Sequence, residues 1–217
     1  MAMTADGKIA SANRAISTFG TRRDANHLLE LRATADAVMA GARTVDSNPV
    51  NLGPGPVKYR RLRRKRGLAE FNLRIIVSGS GTINPNAEVF RRTFSPIIIL
   101  TSRRAGQRLK RLRALADEVK VCGTSEIDFG RAFHWLRQKW KVKRLLCEGG
   151  GALNDALFRA GLVDELHLTI CPKIFGGRDA PTISDGQGVR NLHAAVPLRL
   201  KSARRYGNEL FLVYKRA

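Results

Sequence analysis

Three groups of residues have types and spacings suited to chemistry. Glu148 stands directly before Gly149, Gly150 and Gly151, and the run continues Ala152-Leu153-Asn154. A turn without Cβ atoms lets backbone N–H groups come close to a ligand. A helix opening behind it adds unpaired N–H groups and partial positive charge, which together suit phosphate. The tripeptide is not the spaced G-x-G-x-x-G fingerprint, so a tight connection with glycines for packing also explains it. A carboxylate at the carboxyl end of a strand, where open α/β sheets bind ligands, favours the functional reading. Lys8 follows the turn dipeptide Asp6-Gly7; its plain reading is an exposed turn lysine. Arg43 and Arg103 each follow an apolar run and offer positive charge to an anionic ligand.

Hydrophobic periodicity supplies the elements that position these residues. Residues 144–147 are short, apolar and bounded, as a buried strand is. Leu153, Leu157 and Phe158 share one helical face, Gly161 sits where a helix C-cap glycine would, and 166–170 is apolar again. The stretch 145–168 therefore reads as strand, helix, strand, and such a unit implies parallel strands joined by a right-handed crossover. Upstream, the pattern predicts a helix over 22–32 with Thr21 as N-cap, strands over 35–40, 73–77, 97–100 and 118–122, and helices over 105–115 and 129–140. At the end, 198–200 and 210–214 flank Tyr206-Gly207-Asn208-Glu209 as a hairpin. Four strand ends thus carry small or polar turns, at 41–44, 78–81, 101–103 and 149–151. In one sheet they line up along one edge, a cleft for an extended phosphate-bearing ligand.

The 217 residues suit one large domain or two small ones. Cys122, Cys147 and Cys171 are few, odd in number and far apart, which points to a reducing compartment, hence the cytoplasm, and to neither a disulfide framework nor a metal site. His27, His134, His167 and His193 are scattered and form no ligand motif. No apolar run approaches the ~20 residues of a membrane helix. A net charge of +21 favours anionic partners, either phosphorylated metabolites or nucleic acid. The basic run 58–66 reads as a solvated loop or frayed helix in preference to a nucleic-acid arm, since Tyr59 alone offers a stacking surface.

M-T-A-D-G-K-I-A at 3–10, L-R-A-T-A-D-A-V-M-A-G-A-R-T-V at 31–45 and C-E-G-G-G-A-L-N-D-A-L-F-R-A-G-L-V-D-E-L at 147–166 resemble the RibD C-terminal family, the pyrimidine reductases of riboflavin synthesis. The resemblance covers nearly the whole chain in order. It implies a single α/β domain over 1–217 with a dihydrofolate-reductase-like, three-layer α/β/α fold, a mostly parallel central sheet and a C-terminal antiparallel hairpin. It also implies a homodimer and NADPH-dependent reduction of a phosphoribosylamino-pyrimidine to the ribitylamino product. Lys8 and Glu148 would be catalytic. Asp6, Ser17, Arg32, Asn48 and Glu148 would bind substrate, Arg32 through phosphate. Ala2, Gly41, Arg43, Thr44, Ser78, Gly79, Arg103, Gly149, Gly150, Gly151, Ala152, Leu153 and Asn154 would bind the cofactor. The chain departs from the family where Ser47-Asn48-Pro49 replaces an acidic pair before proline and where Ser78 replaces a common Asp. It lacks the H-x-E and P-C-x-x-C signature of a zinc deaminase, so a stand-alone reductase is expected. Because Met1–Thr4 reads as the tail of a strand, a natural start further upstream stays open. Two alternatives remain at this level: a related reductase of another small substrate, and a basic nucleic-acid-binding protein.

Either Arg43 or Arg103 could pair the 2′-phosphate of NADPH, so calorimetric titration at physiological salt should show saturable binding with NADPH preferred over NADH. Equal affinity for the two would contradict that assignment.

Overall fold

The computed structural model describes residues 1–217. In chain order its elements are β1 (Ala2–Thr4), α1 (Arg22–Arg32), β2 (Ala37–Gly41), α2 (Ala42–Ser47), α3 (Val57–Lys65), β3 (Leu73–Val77), β4 (Ile97–Thr101) and α4 (Arg108–Leu115). There follow β5 (Glu118–Val121), α5 (Phe129–Trp140), β6 (Leu145–Cys147), α6 (Gly151–Arg159), β7 (Glu165–Cys171), β8 (Leu198–Tyr206) and β9 (Glu209–Arg216). The chain divides into two compact units, one of Met1–His27 with Gly149–Ala217 and the other of Leu28–Glu148.

Of the strands in the Leu28–Glu148 unit, β2, β3 and β4 are near-continuous apolar runs, as parallel strands covered on both faces are, while β5 alternates charged and apolar residues. The strands of this unit form a five-stranded, wholly parallel sheet in the order β5-β4-β3-β2-β6. Val38, Ala40, Ile76, Ile97 and Ile99 pack with Val45, Leu52, Val89 and Leu112 into its core. The turns at 41–44, 78–81 and 101–103, three of the four expected along one edge, lie at the carboxyl ends of strands of this one parallel sheet; 149–151 belongs to the other unit.

The other unit holds a four-stranded sheet in the order β1-β7-β9-β8, with β1 parallel to β7 and the remaining pairs antiparallel. The C-terminal hairpin forms as expected, turning at Gly207 (φ +59°). α6 ends in a Schellman motif: Leu162 N–H donates to the Leu157 carbonyl and Gly161 N–H to that of Phe158, both at 3.0 Å. Gly161 supplies the left-handed residue (φ +66°) this needs.

The strands around α6 differ from the expectation. β6 pairs with β2 in the parallel sheet, whereas β7 pairs with β1 and β9 in the other. The helix joins two sheets, not two parallel neighbours of one. Periodicity reports that a segment is extended but not which strand satisfies its backbone groups.

The basic run is a regular helix, α3, and it is not wholly solvated. Tyr59 and Arg63, one turn apart, are buried. Arg63 donates to the carbonyls of Arg32 (2.7 Å), Ala35 (2.5 Å) and Ala69 (2.9 Å). Desolvation of its guanidinium pushes its pKa down, opposed by the charge of Asp36.

Glu165 on β7 ties the three antiparallel strands together. It accepts from Lys201 on β8 at 3.0 Å and lies 3.6 Å from Lys215 on β9. The Lys201 hydrogen bond is the chief cause that holds its carboxyl at about 2. A depressed carboxyl contributes stability that is present above its unfolded pKa and lost as pH falls through the folded one. Acid titration of unfolding should therefore show stability falling between pH ~4.5 and ~2, and Glu165→Gln should flatten that part of the profile. An unchanged profile would remove Glu165 from the acid limb.

Candidate active site

Glu148 extends from β6, and its N–H donates to the Met39 carbonyl of β2 at 2.8 Å, which holds it in line with the sheet. Its carboxylate meets the guanidinium of Arg32 as a two-pronged pair, Nε to Oε1 at 2.5 Å and Nη2 to Oε2 at 2.6 Å. The third prong, Nη1, donates to the Gly53 carbonyl at 2.7 Å. Only 9% and 10% of the two side chains are exposed, so neither charge is well hydrated. Two substrate candidates are thus brought together, and the guanidinium proposed for phosphate is occupied by a carboxylate. A carboxylate has about four lone-pair directions; Arg32 takes two and leaves two for a ligand.

On the carboxyl edge, Gly41 ends β2 and precedes α2, whose first turn carries exposed Arg43 and half-buried Thr44. Asn48, at the end of that helix, donates its amide to the Thr44 carbonyl at 3.1 Å. Ser78 is buried and its hydroxyl donates to the Thr82 carbonyl at 3.0 Å. The Gly79 carbonyl accepts from the Ser102 hydroxyl at 2.8 Å, and a Cβ at residue 79 would meet nothing within 4 Å. Arg103 is exposed.

In the other unit, Ala2 lies on β1 beside Thr169. The turn after β1 is fixed by Asp6, which accepts from the Thr4 hydroxyl (2.5 Å) and from the N–H groups of Phe175 (3.2 Å) and Gly176 (2.7 Å). The Thr4 hydrogen bond is the largest cause holding its carboxyl below the ordinary value. Lys8 presents its ammonium to the Ala180 carbonyl at 3.2 Å. Ser17 is half-buried in the segment before α1. Gly149 and Gly150 adopt φ +84° and +28°, conformations open to glycine at little cost. Gly151 opens α6, Ala152 is exposed, Leu153 is buried, and Asn154 donates to the Ile183 carbonyl at 2.8 Å.

Several residues that shape these groups were not among the expected site residues. Thr4 positions Asp6, and Arg63 holds the carbonyl of Arg32. Buried Glu209 accepts from Thr21 N–H (2.7 Å) and hydroxyl (2.6 Å) where α1 begins. No sequence signal separates Arg63 from its basic neighbours except the i, i+4 spacing from Tyr59.

Residues 1–212 match the RibD C-terminal domain. The chain belongs to the RibD C-terminal domain family. Within it, the chain is 33% identical over 216 residues to the 2,5-diamino-6-ribosylamino-4(3H)-pyrimidinone 5′-phosphate reductase of Methanothermobacter thermautotrophicus, covering 98% of this chain and 94% of that one. The reductase of the same name from Aquifex aeolicus is 29% identical, with 92% and 87% covered. Among solved structures, a pyrimidine reductase-like protein of Corynebacterium diphtheriae superposes with a TM-score of 0.76 at 25% identity, covering all of this chain and 89% of that one. RibD of Acinetobacter baumannii gives the same TM-score at 16% identity, and this chain spans 56% of it. The α/β fold is that of the RibD reductases.

The burial of the Arg32–Glu148 pair makes a stability prediction. Arg32→Met strands a desolvated carboxylate and should cost about 3–5 kcal/mol in denaturant unfolding. Arg60→Met, at the more exposed Arg60–Glu70 pair, should cost about 0–1 kcal/mol. Similar costs for the two would show that the Arg32 pair carries no special weight.

Proposed function

We propose that this chain is an NADPH-dependent reductase that converts a ribosylamino-pyrimidine 5′-phosphate to the ribitylamino product in riboflavin synthesis. The diamino pyrimidinone is its substrate. The observation that carries this reading is the near-full-length likeness to the M. thermautotrophicus reductase, together with a carboxylate standing before three glycines. Each unit carries features that suit part of a dinucleotide. Gly149 and Gly150 hold positive φ and Gly79 has open space around it, while Arg43 and Arg103 are exposed cations.

When bound, NADPH supplies hydride to C1 of the opened sugar, the carbon of a C=N bond whose nitrogen takes a proton. The chain's residues bind, orient and supply that proton. Lys8 is the proton donor: an ammonium has three donors, and the Ala180 carbonyl takes one. Asp6 fixes the turn that carries Lys8. Glu148 accepts from amino or hydroxyl groups of the substrate through the lone pairs Arg32 leaves open. Arg32 is a positioning residue for Glu148 rather than the phosphate clamp. Ser17 and Asn48 complete the substrate contacts. Ala2, Gly41, Thr44, Ser78, Gly79 and 149–154 contact the cofactor, and Arg43 or Arg103 pairs its 2′-phosphate. By family likeness the enzyme works as a single reductase domain, in a cytoplasmic homodimer.

The test is NADPH consumption with the diamino and the deaminated pyrimidine side by side. Turnover of the diamino compound is expected, with Glu148→Gln lowering kcat/KM about 100-fold in a folded protein. NADPH binding without turnover of either pyrimidine would reassign the chain to another small substrate.

A further inference from the structure

β1 ends in Thr4, which is fully buried and paired with Cys171 of β7. Its hydroxyl stands between two partners. It donates to Asp6 Oδ1 at 2.5 Å and accepts from the Lys8 N–H at 2.9 Å. The Lys8 carbonyl lies further from the hydroxyl, at 3.3 Å, so the single hydroxyl proton goes to the carboxylate. The Thr4 main chain adds two bonds. Its N–H donates to the Lys8 carbonyl at 2.8 Å, and its carbonyl accepts from Gly7 N–H at 2.9 Å. One residue thus holds both main-chain groups of Lys8 and the carboxylate of Asp6.

The same hydroxyl reaches further through Asp6. That carboxylate accepts from the N–H groups of Phe175 and Gly176, which anchors the segment after β7. Further along, this segment presents the Ala180 carbonyl to the Lys8 ammonium at 3.2 Å. Ile9 N–H donates to the Pro181 carbonyl at 2.9 Å, and Lys8 forms an antiparallel bridge with Thr182. A lysine stem is flexible, so its ammonium has a defined place only where its main chain and its terminal acceptor are both fixed. Thr4 contributes to both.

Resting on the assignment of Lys8 as proton donor, we propose that Thr4 is a positioning residue for the reaction: its hydroxyl, as donor to Asp6 and acceptor from Lys8, sets where the Lys8 ammonium stands. Only a side chain that both donates and accepts meets the two partners at once. Thr4→Val keeps the shape but leaves the buried Lys8 N–H without that acceptor and Asp6 without that donor. Thr4→Ser keeps both bonds. Being fully buried, Thr4 acts through Lys8 and not on a ligand directly.

The test compares Thr4→Val, Thr4→Ala and Thr4→Ser. Hydrogen exchange at the Lys8 amide, read without any ligand, should quicken in Thr4→Val and Thr4→Ala and keep the wild-type rate in Thr4→Ser. In NADPH turnover of the pyrimidine, Thr4→Val should lower kcat about tenfold with NADPH affinity unchanged, while Thr4→Ser keeps most of the wild-type rate. In a Lys8→Gln background Thr4→Val should cost nothing more, since a residue that acts through Lys8 has no effect once the ammonium is gone. Thr4→Ala supplies the same comparisons should Thr4→Val fail to fold. Unchanged Lys8 exchange in both variants, or a full further loss in the Lys8→Gln background, overturns the proposal while leaving the reductase reading standing. Wild-type kcat in Lys8→Gln alone overturns the donor assignment and this proposal with it. A wild type inactive with NADPH and either pyrimidine overturns both the proposal and the reductase reading.

Discussion

The buried pair of Arg32 and Glu148 is the constraint around which the Leu28–Glu148 unit is arranged. Two charges with about a tenth of their side chains exposed lose most of their hydration, and the loss is offset only if every prong of the fork is met. Here the carboxylate meets two nitrogens and the Gly53 carbonyl meets the third. That requirement fixes the end of α1, the exit of β6 and the loop before α3 relative to one another. Buried Arg63 then holds the carbonyls of Arg32 and Ala35 from α3. The Glu148 carboxylate is presented by two layers of guanidinium bonding, not by the strand alone.

This arrangement changes what the high positive charge means. Arg32, Arg63 and Arg74 are 8%, 1% and 1% exposed, so part of the +21 is internal scaffolding. Arg74 donates to the carbonyls of Val89 and Ser95 and lies 4.3 Å over the Phe94 ring, with burial pushing its pKa down to about 10. Arg63 and Arg74 replace water with main-chain carbonyls, and Arg32 with one carbonyl and a carboxylate, a use for which the planar, multi-donor guanidinium is better shaped than an ammonium. The exposed remainder, Arg43 and Arg103 among it, faces solvent.

The two units handle their carboxylates differently. In one, Glu148 is oriented by a cation. In the other, Asp6 and Asp185 are oriented by hydroxyl and N–H donors, which fix direction without cancelling charge.

The sequence by itself determined the local elements and the family. Apolar runs and helical spacing located α1, β3 and α5 to the residue and the hairpin turn, because these follow from periodicity and turn chemistry within a short window. The glycine turn before α6 was legible from residue type and order alone. The tertiary structure decided which strands share a sheet, separating β6 from β7, since backbone pairing is settled by partners far along the chain. It also decided that Arg32 faces Glu148, that Arg63 is internal while the adjacent Arg64 is exposed, and that Asp185 lies against Gly151. Charge alone does not reveal these outcomes. They depend on which desolvated donor and acceptor are brought within hydrogen-bond reach, and sequence spacings of 116 residues for Arg32 and Glu148 carry no such signal.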